Sequence, residues 1–300
     1  MLVPVLSPLG VGVIRKIKAK FQNRQGASIF QPYKDLWKLI HKDEVISTDA
    51  SWIFKLAPFF VFTVTIVVGA AIPLITSFAP LAELSDMLAI IYLLAGGTFF
   101  LALAGIDTGG AFGGFGSSRE MTISALAEGG VIFSLLTLAL ISGTTNLFGI
   151  SAAIIPAYEQ SFLPVLLAFM GFFIVLLAET ARFPFDNPAT HLELTMVHEA
   201  MILEYSGKRL ALMELASANK LLIFIALGAN LFFPFGMALD ASLSAILISA
   251  AVFLFKIFIF YAVIALIESS IAKFRFFRLP GMLMISFVLN IIAIGLMMYL

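Results

Sequence analysis

The sequence predicts an all-α integral membrane protein, a polytopic chain of about eight transmembrane helices with both termini outside. Three observations predict it. The 300 residues are 61% hydrophobic and only 12% charged, with a mean hydropathy of +1.06, whereas a soluble domain carries about 25% charged residues. Apolar runs near the ~20 residues that cross a bilayer recur along the whole chain. They are continuous, unlike the short alternating segments of a β-barrel.

The spans fall at 2–14, 56–78, 86–106, 121–145, 161–181, 219–239, 243–267 and 281–299, within one transmembrane domain over 1–300. The first is too short to cross and carries two prolines. It also lacks the basic start and cleavage site of a signal peptide. A truncated or misassigned start, or a helix completed by a neighbouring subunit, is expected there. The remaining loops are placed at 15–55, 107–120, 182–218 and 268–280.

Basic residues orient the chain. Of 18 Lys and Arg, nine lie between Arg15 and Lys55. Arg119, Arg182, Lys208, Arg209, Lys220, Lys273, Arg275 and Arg278 fall on the same side of an eight-span chain. The opposite loops, with Glu83, Asp86, Glu159 and Asp240, hold no Lys or Arg. By the positive-inside rule the basic loops are cytoplasmic, which predicts a multi-pass protein of the cytoplasmic (inner) membrane. Net charge is zero, so nothing points to nucleic acid. With no cysteine, the chain has no thiolate for an Fe–S cluster, and any electrons must travel in other subunits.

The first basic loop has Tyr33, Trp37 and Ile40 at helical spacing opposite Lys34, Lys38 and His41, the pattern of a helix lying on a membrane surface. The glycine-rich stretch DTGGAFGGFGSSRE at 107–120 lacks the lysine and spacing of a P-loop and predicts close backbone packing. Charges also sit at membrane depth. Glu128 is expected two turns into the fourth span, Glu179 at the end of the fifth and Lys256 in the middle of the seventh. A central charge costs at least ~2.5 kcal/mol on insertion scales, so it persists when paired or functional. Glu128, Glu179 and Lys256 are therefore candidates for an ion path, the alternative being a structural Lys–Glu pair. Glu268 lies near the interface and reads as a solvated cap.

The densest polar block is residues 178–216, with five glutamates, Asp186, His191, His198 and three basic residues. Its HEAMI run has Ile202 where the H-E-x-x-H zinc motif needs a second histidine, so no metal is assigned to the chain. Pro184 and Pro188 end the preceding helix.

Several motifs carry a family resemblance. AETARFPFD…EYSG, FQNRQG followed by QPYKDLWKLI, and Arg119 with Glu128 nine residues on resemble the membrane subunit of respiratory complex I that walls the quinone chamber. That family carries an acidic cluster after its P-F-D-x-P, where this chain reads ATHLEL, with His191 in place of an acid. GIDTGGAF…GSSRE and THLELTMVHEAMILEYSG are closer to formate hydrogenlyase subunit 4 and membrane-bound [NiFe]-hydrogenases. The resemblance implies a non-catalytic subunit that docks soluble large and small [NiFe]-hydrogenase subunits beside antiporter-like membrane subunits and lipid. Fe–S and Ni–Fe centres would lie in those partners, with no cofactor in this chain. It further implies a coupling interface of Arg182, Asp186, His191, Glu193, Glu199 and Glu204, an ion path through Glu128, Glu179 and Lys256, and loop or docking roles for Arg24, Arg119 and Arg209. The rival expectations are a quinone-site subunit and a stand-alone secondary transporter.

Overall fold

The structure, a computed structural model, describes residues 2–77, 82–188, 195–238 and 240–299. The described residues are helical with short connections and form no strand, only two isolated bridges. Helices α1 (Leu2–Phe21), α2 (Gln31–Ile40), α3 (Trp52–Ala71), α4 (Met87–Asp107) and α5 (Ala111–Ser142) are followed by α6 (Leu147–Glu179). Then come α7 (His198–Ile202), α8 (Gly207–Leu227), α9 (Leu243–Ser270) and α10 (Leu279–Tyr299). Among the described residues seven helices are long and apolar enough to cross a membrane: α3 to α6, α8 with its terminal π-turn, α9, and α10 with the turn before it. The chain is an all-α, multi-pass membrane protein.

The expected first span at 2–14 is a longer helix. It continues to Phe21 because Arg15, Lys16, Lys18 and Lys20 prolong α1 past its apolar half. Hydropathy stops at Arg15, but lysine and arginine are good helix formers. The expected loops shrink as well. Helix α5 begins at Ala111 and α8 at Gly207, so most of 107–120 and the last part of 182–218 are helical. Glu128 accordingly lies near the middle of α5, because the helix begins ten residues before the expected span. Helix α6 spans 33 residues, bent at Ser161 where the backbone departs from helical geometry. The helix predicted from the spacing of Tyr33, Trp37 and Ile40 is present as α2, with Trp37 and Ile40 exposed.

Polar caps fix the helix starts. Asp86 accepts from the amides of Leu88 and Ala89, Asn146 from those of Phe148 and Gly149, and Ser51 from Ile53, satisfying amides that have no intrahelical partner. Asp107, at the end of α4, reaches across to the amides of Ser51 and Phe54 at 2.8 and 3.3 Å and ties the two helices together.

Helix α8 is the pivot of the packing, against α1, α3 and α2, and through the π-turn Gly228–Phe232 against α6 and α9. A second group joins α5, α6 and α10. Small residues let these helices approach, as expected of membrane bundles. A Cβ on Gly113 would stand 2.1 Å from the carbonyl oxygen of Gly105 on α4, while one on Gly114 would meet nothing within 4 Å. This is the close packing that the glycine-rich stretch predicts.

Gly113→Ala is expected to destabilise the detergent-solubilised protein by about 1–3 kcal/mol, the usual cost of overpacking. Gly114→Ala should be neutral or stabilising, because alanine is the better helix former. Thermal unfolding of the two variants beside the parent checks both.

Candidate functional site: a charged chamber with buried carboxylates behind it

Helix α6 stops at Glu179, and the chain turns through Thr180 and Ala181, whose φ is +50°. The turn delivers Arg182 into the interior, 7% exposed. Its guanidinium donates to Glu268 on α9 at 3.2 Å, and the other oxygen of Glu268 takes Lys18 of α1 at 3.2 Å. Glu268 is 6% exposed. It is therefore the shared anion of a buried triad and not the solvated cap that its position near the interface predicts. Asp186 is buried as well. It binds Lys273 at 2.5 Å and accepts the amide of His198 at 3.0 Å, which fixes the start of α7.

These contacts enclose a chamber of about 580 Å³. Arg15, Lys18, Arg24 and Arg182 supply its positive wall, and Glu199, Glu214 and Glu268 its negative one. Burial pushes the Glu199 carboxyl up to about 7, reinforced by the negative charges of Glu214 and Asp186 and opposed by Arg15. Burial pushes His198 down to about 4, so its imidazole is neutral at pH 7. The chamber thus holds a carboxyl that gains and loses a proton near neutrality.

Behind the chamber lie two small cavities. The first, about 40 Å³, shares Thr180, Ala181, His198 and Ser217 with the chamber and is lined also by Glu120, Glu179 and Lys220. The second, about 20 Å³, shares Leu94 and Glu179 with the first and reaches Glu128. One water needs about 10–15 Å³ of such space, so each cavity admits water. Glu179 stands at the junction. One of its oxygens takes Lys220 at 2.7 Å, and the other is buried with no hydrogen-bond partner among the described residues. Lys220 also donates to Thr98 at 3.0 Å, and Glu128 accepts from Ser124 at 3.2 Å. Glu120, Ser124 and Glu128 recur every fourth residue along α5, on one face of the helix. A rise of 1.5 Å per residue puts Glu120 and Glu128 about 12 Å apart along the axis.

Of the residues expected at a coupling interface, Arg182 and Glu199 line the chamber, and Asp186 holds the amide of His198, which lines it too. Glu204 is exposed in the turn between α7 and α8, and His191 and Glu193 lie outside the described residues. Glu128 and Glu179 share a cavity, whereas Lys256 lies apart from it. It lines a separate hollow and binds the Phe233 carbonyl at 2.6 Å and Asn230 at 3.3 Å. Among the described residues it forms no pair with a glutamate. Arg24 lines the chamber. Arg119 donates to the Met196 carbonyl at 3.0 Å, holding the stretch of chain before α7. Arg209 clamps Glu44 at 2.6 Å, pinning the 41–50 loop on α8.

The sequence reading passes over Glu120 and Glu214 and treats Lys220 as a loop charge. The i, i+4, i+8 spacing of Glu120, Ser124 and Glu128 is the signal that finds Glu120, once α5 is known to begin at Ala111.

The NADH dehydrogenase family model matches residues 1–299. Hydrogenase-4 component C of Escherichia coli is 35% identical over 289 residues, covering 96% of this chain and 90% of that protein. Formate hydrogenlyase subunit 4 of Escherichia coli is 29% identical, covering 90% and 87%. A subunit of the NADH-quinone oxidoreductase of Pelagibacter ubique is 30% identical, covering 93% and 86%. The fold matches a chain of the membrane-bound sulfane sulfur reductase, an archaeal respiratory membrane complex, with a TM-score of 0.83 and 21% identity over 99% of this chain and 96% of that one. The chain belongs to the NADH dehydrogenase family, as a membrane subunit homologous to hydrogenase-4 component C and formate hydrogenlyase subunit 4.

Proposed function

We propose that this chain is the membrane anchor and coupling subunit of a [NiFe]-hydrogenase complex of the cytoplasmic membrane, with α1 as an eighth crossing helix, its basic loops cytoplasmic and both termini outside. The observation that carries the reading is the unbroken succession from the charged chamber through Glu179 and Lys220 to Glu128, joined by shared cavity walls. The similarity to hydrogenase-4 component C supports the hydrogenase branch. The chain has no cysteine, so Fe–S and Ni–Fe centres belong to soluble large and small subunits docked over the chamber. Antiporter-like subunits would continue the ion path in the membrane.

On this reading the chain performs no bond chemistry. A change of charge at the nearest redox centre alters the field at the chamber, and Glu199 takes up or releases a proton in response. The change passes to Glu179, whose free oxygen and partner Lys220 sit at the cavity junction. A proton or sodium ion displaced there moves toward Glu128. Arg182, Lys18 and Lys273, each locked to a buried carboxylate, keep the rim rigid while the charge shifts. Arg24, Arg119 and Arg209 hold the loops on which the soluble module sits, and the coupling role extends to His191, Glu193 and Glu204.

A second reading, a quinone-site subunit, is favoured by the chamber itself, since its volume falls within the roughly 300–1,000 Å³ of small-molecule sites. Purification of the complex from native membranes separates the two. Nickel with hydrogen evolution from reduced viologen is the expected result, while a nickel-free complex that reduces quinone would replace the first reading by the second.

Glu179→Gln is expected to leave the complex assembled and evolving hydrogen, with ion-gradient formation in proteoliposomes reduced tenfold or more. A full gradient would remove Glu179 from the path. Glu199 is neutral below pH 7 and ionised above it, so coupled turnover should step with a midpoint near pH 7. Glu199→Gln should abolish that step, and pH–rate profiles of the two complexes check it.

A further inference from the structure

The hollow around Lys256 lies outside the charged file. It is about 460 Å³ in volume, set between α6, the end of α8 and α9, and it is apolar apart from the lysine. Phe169, Phe173, Phe233 and Phe260 form its walls, with the Phe169 and Phe233 rings edge to face at 4.8 Å. Lys256 is half-buried, and its neighbours on the outer face of α9, Leu254, Phe255, Phe258 and Ile259, are exposed.

Two contacts hold the ammonium from within. The π-turn ends α8 at Phe232, and the Phe233 carbonyl beyond it accepts Lys256 at 2.6 Å. Asn230, whose amide donates to the Pro73 and Leu74 carbonyls, accepts it at 3.3 Å. A cation at a helix C-terminus is a favourable structural cap. The cap accounts for two of the three N–H donors of a lysine ammonium, and no described carboxylate neutralises the charge.

Depth decides what completes it. Lys256 lies 13 residues from one end of α9 and 14 from the other. At 1.5 Å per residue it is about 20 Å from either end, near the middle of a hydrocarbon layer about 30 Å thick. Phospholipid headgroups lie about 15 Å away at the interface, whereas a side chain on another transmembrane helix reaches this depth.

We propose that the hollow lined by Phe169, Phe233, Phe260 and Lys256 is a docking seam for a transmembrane helix of a partner membrane subunit, which seats a mid-membrane Asp or Glu against the Lys256 ammonium. Such intramembrane charges face protein and pair with one another. The apolar wall of α6 and α9 receives the rest of the partner helix. The inference rests on the chain's place in a multi-subunit membrane complex and not on which reaction that complex performs.

The test uses the intact complex carrying a photo-crosslinking phenylalanine analogue at Ile259. The expected product joins this chain to one integral membrane subunit, through a peptide that contains an Asp or Glu near the centre of a transmembrane helix. Cross-links to phospholipid alone would overturn the proposal. Val263→Trp fills the hollow and leaves the Nζ contacts in place. It should lower the amount of that one subunit in the purified complex tenfold or more, and undiminished retention would contradict the seam. Lys256→Met should have the same effect and Lys256→Arg should restore the subunit, which separates loss of the charge pair from loss of fold. Nickel content and viologen-driven hydrogen evolution, read on the same preparations, report separately on the proposed function.

Discussion

The ion pair between Glu179 and Lys220 is the interaction on which the interior of this protein depends. It joins the last residue of α6 to the middle of α8, the helix that packs on most of the others. A buried pair is weak evidence for stability, because desolvation of both charges offsets their attraction. Removing one partner is another matter, at about 3–5 kcal/mol for an uncompensated buried charge. The pair is thus easier to explain as a device than as glue. It holds a carboxylate against an ammonium where two water-sized cavities meet, with the second carboxylate oxygen unpartnered among the described residues.

The chamber in front of it is built on the same logic in three copies. Arg182 and Lys18 share Glu268, and Lys273 holds Asp186. These contacts staple the ends of α1, α6 and α9 and the start of α7 around one opening. Within this fixed rim Glu199 and Glu214 face the cavity without an ion-pair partner among the described residues. The structure therefore separates charges locked in ion pairs from carboxyl groups that have none.

Hydropathy alone makes the long spans and their order legible, and helical periodicity locates α2. What it misplaces are the helices that run on through polar residues. Arg15 to Lys20 extend α1, and the glycine and serine residues of 111–120 open α5. No hydropathy window sees such a helix, because backbone hydrogen bonding, not side-chain apolarity, carries it past the membrane edge. The site suffers from the same blindness. Glu120 falls in a loop by hydropathy and Lys220 at the very edge of a span, yet both face the interior once their helices are complete. Distance from the interface makes Glu268 a surface group, but its partners come from α1 and the 182 turn, some 250 and 86 residues away in sequence. Lys256 is legible as a costly charge, but which cavity it enters is decided by the π-turn at the end of α8. Nothing in one sequence announces that turn.

Charge movement along the Glu179 file is, on the proposed function, linked to electron transfer in a docked module. Such linkage is reciprocal. The most direct measurement is hydrogen evolution by the intact complex in proteoliposomes, as a membrane potential opposing ion movement is imposed. One charge moved against 100 mV costs about 2.3 kcal/mol. Electron transfer should slow several-fold under the potential and recover when an ionophore collapses it. A rate indifferent to the potential, in sealed vesicles with the complex correctly oriented, would contradict the linkage.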